Sequence, residues 1–438
     1  MEQAISTSMY PINKNHPFKK WLQQSSLPGL ILYLSVASFT VYSSMYGFRK
    51  PFTAASYNQY TLWGISYKSV LVIAQVIGYA ISKFYGIQFI GGMQPAKRAV
   101  TIIKLMLIAW ISLLLFAVIP FPYNWICMFI NGLPLGMIWG LVFGFLEGRR
   151  ITELVGAVMA TSFIFASGLA KTIGKWLLLH LPVNEWQMPF ASASIFFIPL
   201  LIGVWMLQQV PPPSATDIAM RTVRNPMNET ERIQFVKQLA SILIPVIITY
   251  ALLTVLRDFS EDFSNELWTE TGFGNNASIF AQTSTFISIV VLTAIGGFFL
   301  IRNNFKAFQL THFVIIAGFA LTITATILFQ QKLITPFAWF IAATSGLYLG
   351  YVPYNCLYFE RMIATFKVQG NVGFVMYIAD AFGYLGTVLV LLMKEFITIK
   401  YSWVHFFTTL FYVASFVGII LIVTGYVASI RLYKKRSI

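Results

Sequence analysis

Along this chain, apolar windows of about 20 residues recur between short polar segments. Twelve are found, near residues 29–54, 67–90, 98–120, 123–146, 154–179, 188–208, 239–263, 277–300, 308–330, 336–359, 371–393 and 403–429. Windows of that length match helices crossing a bilayer, at 1.5 Å rise per residue. The sixth and seventh are separated by Gln209–Gln238, which opens on Pro211-Pro212-Pro213 and carries Arg221, Arg224, Arg232 and Lys237. Prolines and mixed charge make that segment a linker. The pattern predicts an all-α integral membrane protein of twelve transmembrane helices in two six-helix pseudo-repeat halves. Its domains are residues 1–208, a cytoplasmic linker 209–238, and residues 239–438.

Composition agrees. Of the 438 residues, 57% are hydrophobic and only 10% charged, against about 25% charged in soluble domains. The net charge of +15 does not form a stripe of the kind that binds nucleic acid. It sorts instead by loop. Nineteen Lys and Arg residues fall in the tails, the linker and the even-numbered loops, and five (Lys68, Lys175, Lys332, Lys394, Lys400) in the odd ones. By the positive-inside rule both termini and the linker are cytoplasmic. Lys14, Lys19 and Lys20 precede the first window without a cleavage motif, so it reads as an uncleaved span. Cys127 and Cys356 lie in apolar windows, with no disulfide or metal spacing. No phosphate-cradling Gly-x-x-x-x-Gly-Lys-Ser/Thr loop, His-Glu-x-x-His or Gly-x-Ser-x-Gly occurs, and the four histidines are scattered. We expect no enzyme, no cofactor and no metal.

The candidate chemistry centres on two arginines inside apolar windows. Arg49 follows Tyr42 by seven residues, and Arg257 follows Tyr250 by seven. An intramembrane charge costs several kcal/mol unless it meets a partner or a wet cavity, which makes it a functional candidate. A guanidinium presents a planar fork of donors to phosphate or carboxylate and stays charged at any relevant pH. Two of them, one per half, predict a central anion site. Lys50, Lys83 and Lys171 add point charge. Gln75, Tyr79 and Lys83 share a helix face by their spacing of four and, with Tyr42 and Tyr46, line the predicted cavity. Glu261 follows Arg257 by one turn and is its predicted ion-pair partner. Asp262 and Glu261 are candidate gating residues, and Asp380 a candidate for coupling.

Several motifs lie in order along the chain: Tyr46-Gly47-Phe48-Arg49-Lys50, Tyr79-Ala80-Ile81-Ser82-Lys83-Phe84, Gly136-Met137-Ile138-Trp139, Leu256-Arg257 with Asp262-Phe263-Ser264, and Phe382-Gly383-Tyr384-Leu385-Gly386. Through them the chain resembles the organophosphate:phosphate antiporters of the major facilitator superfamily, the glycerol-3-phosphate and hexose-phosphate transporters. The halves also echo one another. Leu135-Gly136 answers Leu349-Gly350, Glu147-Gly148-Arg149 answers Glu360-Arg361, and Ala74-Gln75 answers Ala281-Gln282.

The resemblance implies the major facilitator fold, with Arg49 and Arg257 gripping a substrate phosphate and Lys83 lining the same cavity. The departures are that Ser167 stands near the family's histidine in span five, Gly144 near its span-four arginine, and span seven is richer in acid. The expected function is secondary transport of a small organic anion, a phosphorylated metabolite exchanged for inorganic phosphate, by alternating access between the halves. The alternatives are a transporter-fold sensor of a phosphorylated ligand and a proton-coupled carboxylate or neutral-solute carrier. The expected setting is the inner (plasma) membrane of a bacterium. Its partners there are the small anionic substrate and membrane lipid, with no nucleic acid, and the protein acts as a monomer.

Overall fold

A computed structural model describes residues 17–91, 93–147, 149, 151–213, 217, 229–368, 372–396 and 402–437. Lys14, Arg150, Arg221, Arg224 and Lys400, used above for topology, lie outside these residues, as do residues 214–216 and 218–228 of the predicted linker.

The first-half helices are α1 (Pro17–Gln24), α2 (Leu27–Arg49), α3 (Tyr67–Gly91), α4 (Arg98–Val118), α5 (Trp125–Leu146), α6 (Thr152–His180) and α7 (Met188–Gln208). Those of the second are α8 (Glu229–Asp262), α9 (Ser264–Glu270), α10 (Ile279–Gly296), α11 (Asn304–Gln330), α12 (Pro336–Pro353), α13 (Phe359–Phe366), α14 (Val372–Phe396) and α15 (Trp403–Ser437). Eleven helices among the described residues are long and apolar enough to cross a membrane. The tenth predicted span is broken instead. A π-helical turn, Tyr354–Tyr358, follows Pro353 and separates α12 from α13. Proline removes a backbone donor and clashes with the preceding turn, which accounts for a break there. Two boundaries differ most from prediction. Helix α8 begins at Glu229, ahead of the apolar window, so the end of the predicted linker is helical. Helix α15 likewise runs past its window to Ser437.

The chain separates into two compact units: Met1–Tyr57 with Val70–Thr222, and Asn58–Ser69 with Val223–Ile438. In the first unit α2 packs on α6 and α7, and α4 on α5 and α7. Helices α3 and α5 approach backbone to backbone at Gly132, where any Cβ would overlap the Gln75 carbonyl oxygen. Small residues permit such contact where lipid gives helices no hydrophobic drive to associate.

In the second unit α8 packs on α12, α14 and α15, and α11 on α12 and α15. Residues 58–69 belong to this unit although they join α2 to α3. They form a hairpin of β1 (Thr61–Leu62) and β2 (Ile65–Ser66), pairing Thr61 with Ser66 and Leu62 with Ile65. Trp63 and Gly64 at its turn both have positive φ, the handedness of a type I′ hairpin. Polar bonds fasten the segment. Lys68 Nζ lies 2.6 Å from Glu266 Oε1, with Lys68 buried and Glu266 partly buried. Glu395 accepts from the Ser66 backbone N–H at 3.0 Å and from the Ser66 and Ser69 hydroxyls at 2.8 and 2.7 Å.

Candidate functional site

In the first unit the site grows from the end of α2. Arg49 is its last residue and is 4% exposed. Its guanidinium carbon lies 4.2 Å from the Tyr79 ring centroid and 5.8 Å from that of Tyr46. Lys83 Nζ stands 5.4 Å from the same Tyr79 ring. The predicted face of α3 therefore gathers Arg49, Tyr79 and Lys83 around one aromatic ring, whose negative face attracts both cations. Tyr42 packs edge-on against Tyr46 at 5.6 Å, and Tyr46 stacks on Phe163 of α6. Lys50, which caps α2, and Lys171 on α6 are both buried, as is Ser167 one turn before Lys171.

Gln75 has a different part from the one predicted. Its Nε2 donates to the Arg49 carbonyl at 3.1 Å and to Asn131 Oδ1 at 2.8 Å, while Asn131 Nδ2 donates to the Ala109 carbonyl. It thus ties α3 to α2 and, through Asn131, to α5 and α4, positioning the end of α2 that carries Arg49. Its sequence counterpart Gln282 is exposed and its side chain bonds locally, to Ser278.

In the second unit a buried polar network surrounds Arg257. Its Nε and Nη2 donate to Asp258 Oδ1 at 3.0 and 2.6 Å, and its Nη1 donates to the Tyr351 hydroxyl. The Tyr351 ring lies under the guanidinium at 4.6 Å. Asp258 Oδ2 accepts from Thr387 at 2.7 Å. The carboxylate gripping Arg257 is therefore Asp258, the chain neighbour, where the helical spacing predicts Glu261. Glu261 Oε1 instead accepts from the Tyr348 hydroxyl at 2.6 Å. The planar guanidinium stacks on the Tyr351 ring and presents two of its donors to the Asp258 carboxylate. Asp380 accepts from Tyr250 at 2.6 Å, and the Tyr250 and Tyr351 hydroxyls lie 3.1 Å apart. Asp262 is buried at the end of α8.

Tyr348 and Tyr351 are absent from the residues singled out by sequence. Their signal is the Tyr348-x-x-Tyr351-x-x-Tyr354 spacing in the tenth span, which stacks three hydroxyls along one helix face. A histidine is absent too. His312 is fully buried inside α11, with its Nε2 2.9 Å from the Tyr358 hydroxyl in the π-turn.

A family model described as "Family of unknown function (DUF5690)" matches residues 51–432. The chain belongs to this DUF5690 family. No curated protein matches it in sequence. Among solved structures, the DUF5690 chain is similar to the nucleoside transporter NupG, with a TM-score of 0.58 at 16% identity over 92% of this chain and 99% of that one. A point mutant of NupG gives a TM-score of 0.60 at 14% identity over 91% and 99%. A D-xylose-proton symporter gives 0.57 at 13% identity over 92% and 97%. At these identities the likeness establishes the fold. It is a twelve-helix transporter fold of the major facilitator kind, carried by an integral multi-pass membrane protein.

Proposed function

We propose that this DUF5690 protein is a secondary transporter of a small organic anion, a phosphorylated metabolite exchanged for inorganic phosphate. The observation that carries the reading is the cluster of basic side chains within the spans of the first unit. Arg49, Lys50 and Lys171 are buried in or at the ends of those spans, and Arg49 and Lys83 both lie beside the Tyr79 ring. Basic residues inside membrane spans mark a ligand path, and a guanidinium fork matches a phosphate or carboxylate. Arg49 and Arg257 bind the anion, Lys83 and Lys171 add charge, and Tyr42, Tyr46 and Tyr79 form the wall beside them. Gln75 acts through the placement of Arg49. Glu261, Asp262 and Asp380 serve gating or coupling, and the two halves alternate access to the site. The protein works as a monomer in a bacterial inner membrane, with both termini cytoplasmic.

The second unit favours one rival. Asp258 already engages Arg257, and Glu261, Asp262 and Asp380 are buried in the same unit. A neutral polyhydroxyl solute coupled to protons is therefore the second reading. The neighbours named for D-xylose and for nucleosides fit it.

Reconstitution into liposomes loaded with inorganic phosphate separates the two. The first reading expects external phosphorylated compounds to drive phosphate out, with no effect of sugars or nucleosides. Sugar or nucleoside flux that phosphate does not inhibit would replace it with the second. Saturable binding of a phosphorylated compound without any flux would make the protein a sensor.

A further inference from the structure

Two helix ends in the second unit meet in a patch of positive charge. Arg302 lies just before the start of α11 and Lys306 in its first turn, while Arg431, Lys434 and Lys435 lie in the last turns of α15. The Phe305 and Tyr433 rings join the two ends, stacked at 3.8 Å and 8° from parallel. Arg436 pins α15 to the end of α13, its Nη1 donating to the Phe366 carbonyl at 2.7 Å. The five cations named first are exposed, and among the described residues none of them is in an ion pair. Helices α11, α13 and α15 together carry one carboxylate, Glu360, against them.

Helix electrostatics explain one side of the patch and not the other. Basic residues suit the C-terminal end of α15, where its macrodipole is negative. Arg302 and Lys306 stand at the N-terminal end of α11, where the dipole adds to their charge. Stacking of Phe305 on Tyr433 holds these like charges on one surface, and an external anion relieves their repulsion.

The patch borders the bilayer. Helix α15 has 35 residues, about 52 Å at 1.5 Å per residue, against a hydrocarbon core of about 30 Å. Its charges begin at Arg431, after the apolar stretch, so its basic end stands beyond that core. Val427 is exposed one turn before Arg431, and Leu310 and Phe313 are exposed one and two turns after Lys306. Phe313 packs on Tyr426 at 5.2 Å, so this apolar seam runs along both helices into the basic patch.

We propose that the patch binds the headgroup of an anionic phospholipid, with its phosphate between the ends of α11 and α15 and its acyl chains along Leu310, Phe313 and Val427. Basic clusters beside a membrane span attract anionic lipid by roughly additive charge interactions. A zwitterionic lipid brings an ammonium into a site already rich in cations, so phosphatidylglycerol is preferred over phosphatidylcholine. The deacylated headgroup, glycerophosphoglycerol, shares the phosphate chemistry, and the exposed apolar seam favours the lipid.

The test is thermal unfolding of the delipidated full-length protein in neutral detergent, titrated with phosphatidylglycerol, phosphatidylcholine or glycerophosphoglycerol. Phosphatidylglycerol is expected to stabilise at the lowest concentration, with an effect that shrinks as salt rises. Arg302→Gln/Lys306→Gln and Lys434→Gln/Lys435→Gln, all at exposed positions, should each weaken that response about tenfold or more. Lys332→Gln, at the far end of α11, should leave it unchanged. Equal stabilisation by the two lipids, or a phosphatidylglycerol preference that survives either double change, would overturn the proposal; charges that serve topology alone give that result. Stabilisation by glycerophosphoglycerol as strong as by the lipid would overturn it in favour of a free solute. Arg49→Lys should keep the lipid response, which separates this patch from the proposed transport site; loss of the response there would place the lipid effect at Arg49 and refute the patch.

Discussion

The buried pair Arg257–Asp258 gives the sharpest energetic prediction. Asp258 is 1% exposed and Arg257 is 7% exposed, with 2.6 Å between Nη2 and Oδ1. Removing one partner of a buried pair leaves an uncompensated charge and typically costs about 3–5 kcal/mol. Asp258→Ala removes the acceptor of both the Nε and Nη2 bonds and should reach that range, a loss of more than about a hundredfold in the folded-to-unfolded ratio. Asp258→Asn keeps a neutral oxygen acceptor and should cost less. Thr387 adds little to either figure, because its hydroxyl can turn to the Gly383 carbonyl, 3.2 Å away, when Asp258 is lost. The double variant Arg257→Gln/Asp258→Asn removes both charges and should recover much of the loss, as coupled partners do. The assay is denaturant unfolding of the purified protein in detergent, followed by tryptophan fluorescence. If Asp258→Ala unfolds with the stability of the parent, or the double variant is as unstable as the two single changes summed, the pair is not the coupled unit described here. A functional readout accompanies it. Asp258→Asn releases Arg257 from a competing carboxylate, so phosphate-bearing compounds should bind that variant more tightly.

Three further outcomes follow from other parts of the molecule. Glu266→Ala should destabilise the protein by about 3–5 kcal/mol, because Lys68 would keep its charge in a buried site without this carboxylate; Lys68→Met/Glu266→Leu should regain most of that stability in the same unfolding assay. Gly346→Ala should be far more damaging than Gly296→Ala. At Gly346 a Cβ would overlap the Gly318 carbonyl oxygen, whereas at Gly296 it meets nothing within 4 Å, and yields of folded protein by size-exclusion chromatography measure the difference. Single cysteines at Arg302 and Gln331, both exposed, should label oppositely with an impermeant thiol reagent added to intact cells: Gln331→Cys reacts and Arg302→Cys does not. The reverse pattern would invert the topology.

What is legible in the sequence and what is not divides along a physical line. The spans and the two arginines follow from local composition, because about 20 apolar residues form a stable helix in lipid and tolerate a charge there only for a use. The face shared by Tyr79 and Lys83 follows from helical periodicity alone. Partners chosen across the fold do not. Gln75 reads as a cavity residue until Asn131 and the Arg49 carbonyl are seen beside it. Asp258 looks the wrong way around the helix from Arg257, since adjacent side chains diverge by about 100°, and only the Tyr351 ring fixes the guanidinium plane that brings them together. Hydropathy windows also stop where charge begins, so the start of α8 at Glu229 and the end of α15 at Ser437 fall outside them. The Trp63-Gly64 hairpin offers a glycine at its turn. Nothing local in the sequence signals that residues 58–69 pack with the second half of the chain.

The central claim is that Arg49 and Arg257 hold the substrate anion, and ligand-induced thermal stabilisation of Arg49→Lys and Arg257→Lys tests it most directly. Lysine keeps the charge and loses the planar fork. Each guanidinium contributes a charge-assisted contact of roughly 1.5–3 kcal/mol, so each variant should lose about ten- to a hundredfold or more in affinity for phosphorylated ligands while melting normally without them. Their double variant should lose no more than the worse single one, and Lys83→Gln should lose less than either. If both lysine variants fold and bind phosphorylated compounds as tightly as the parent, the arginines are structural and the anion-carrier account is wrong.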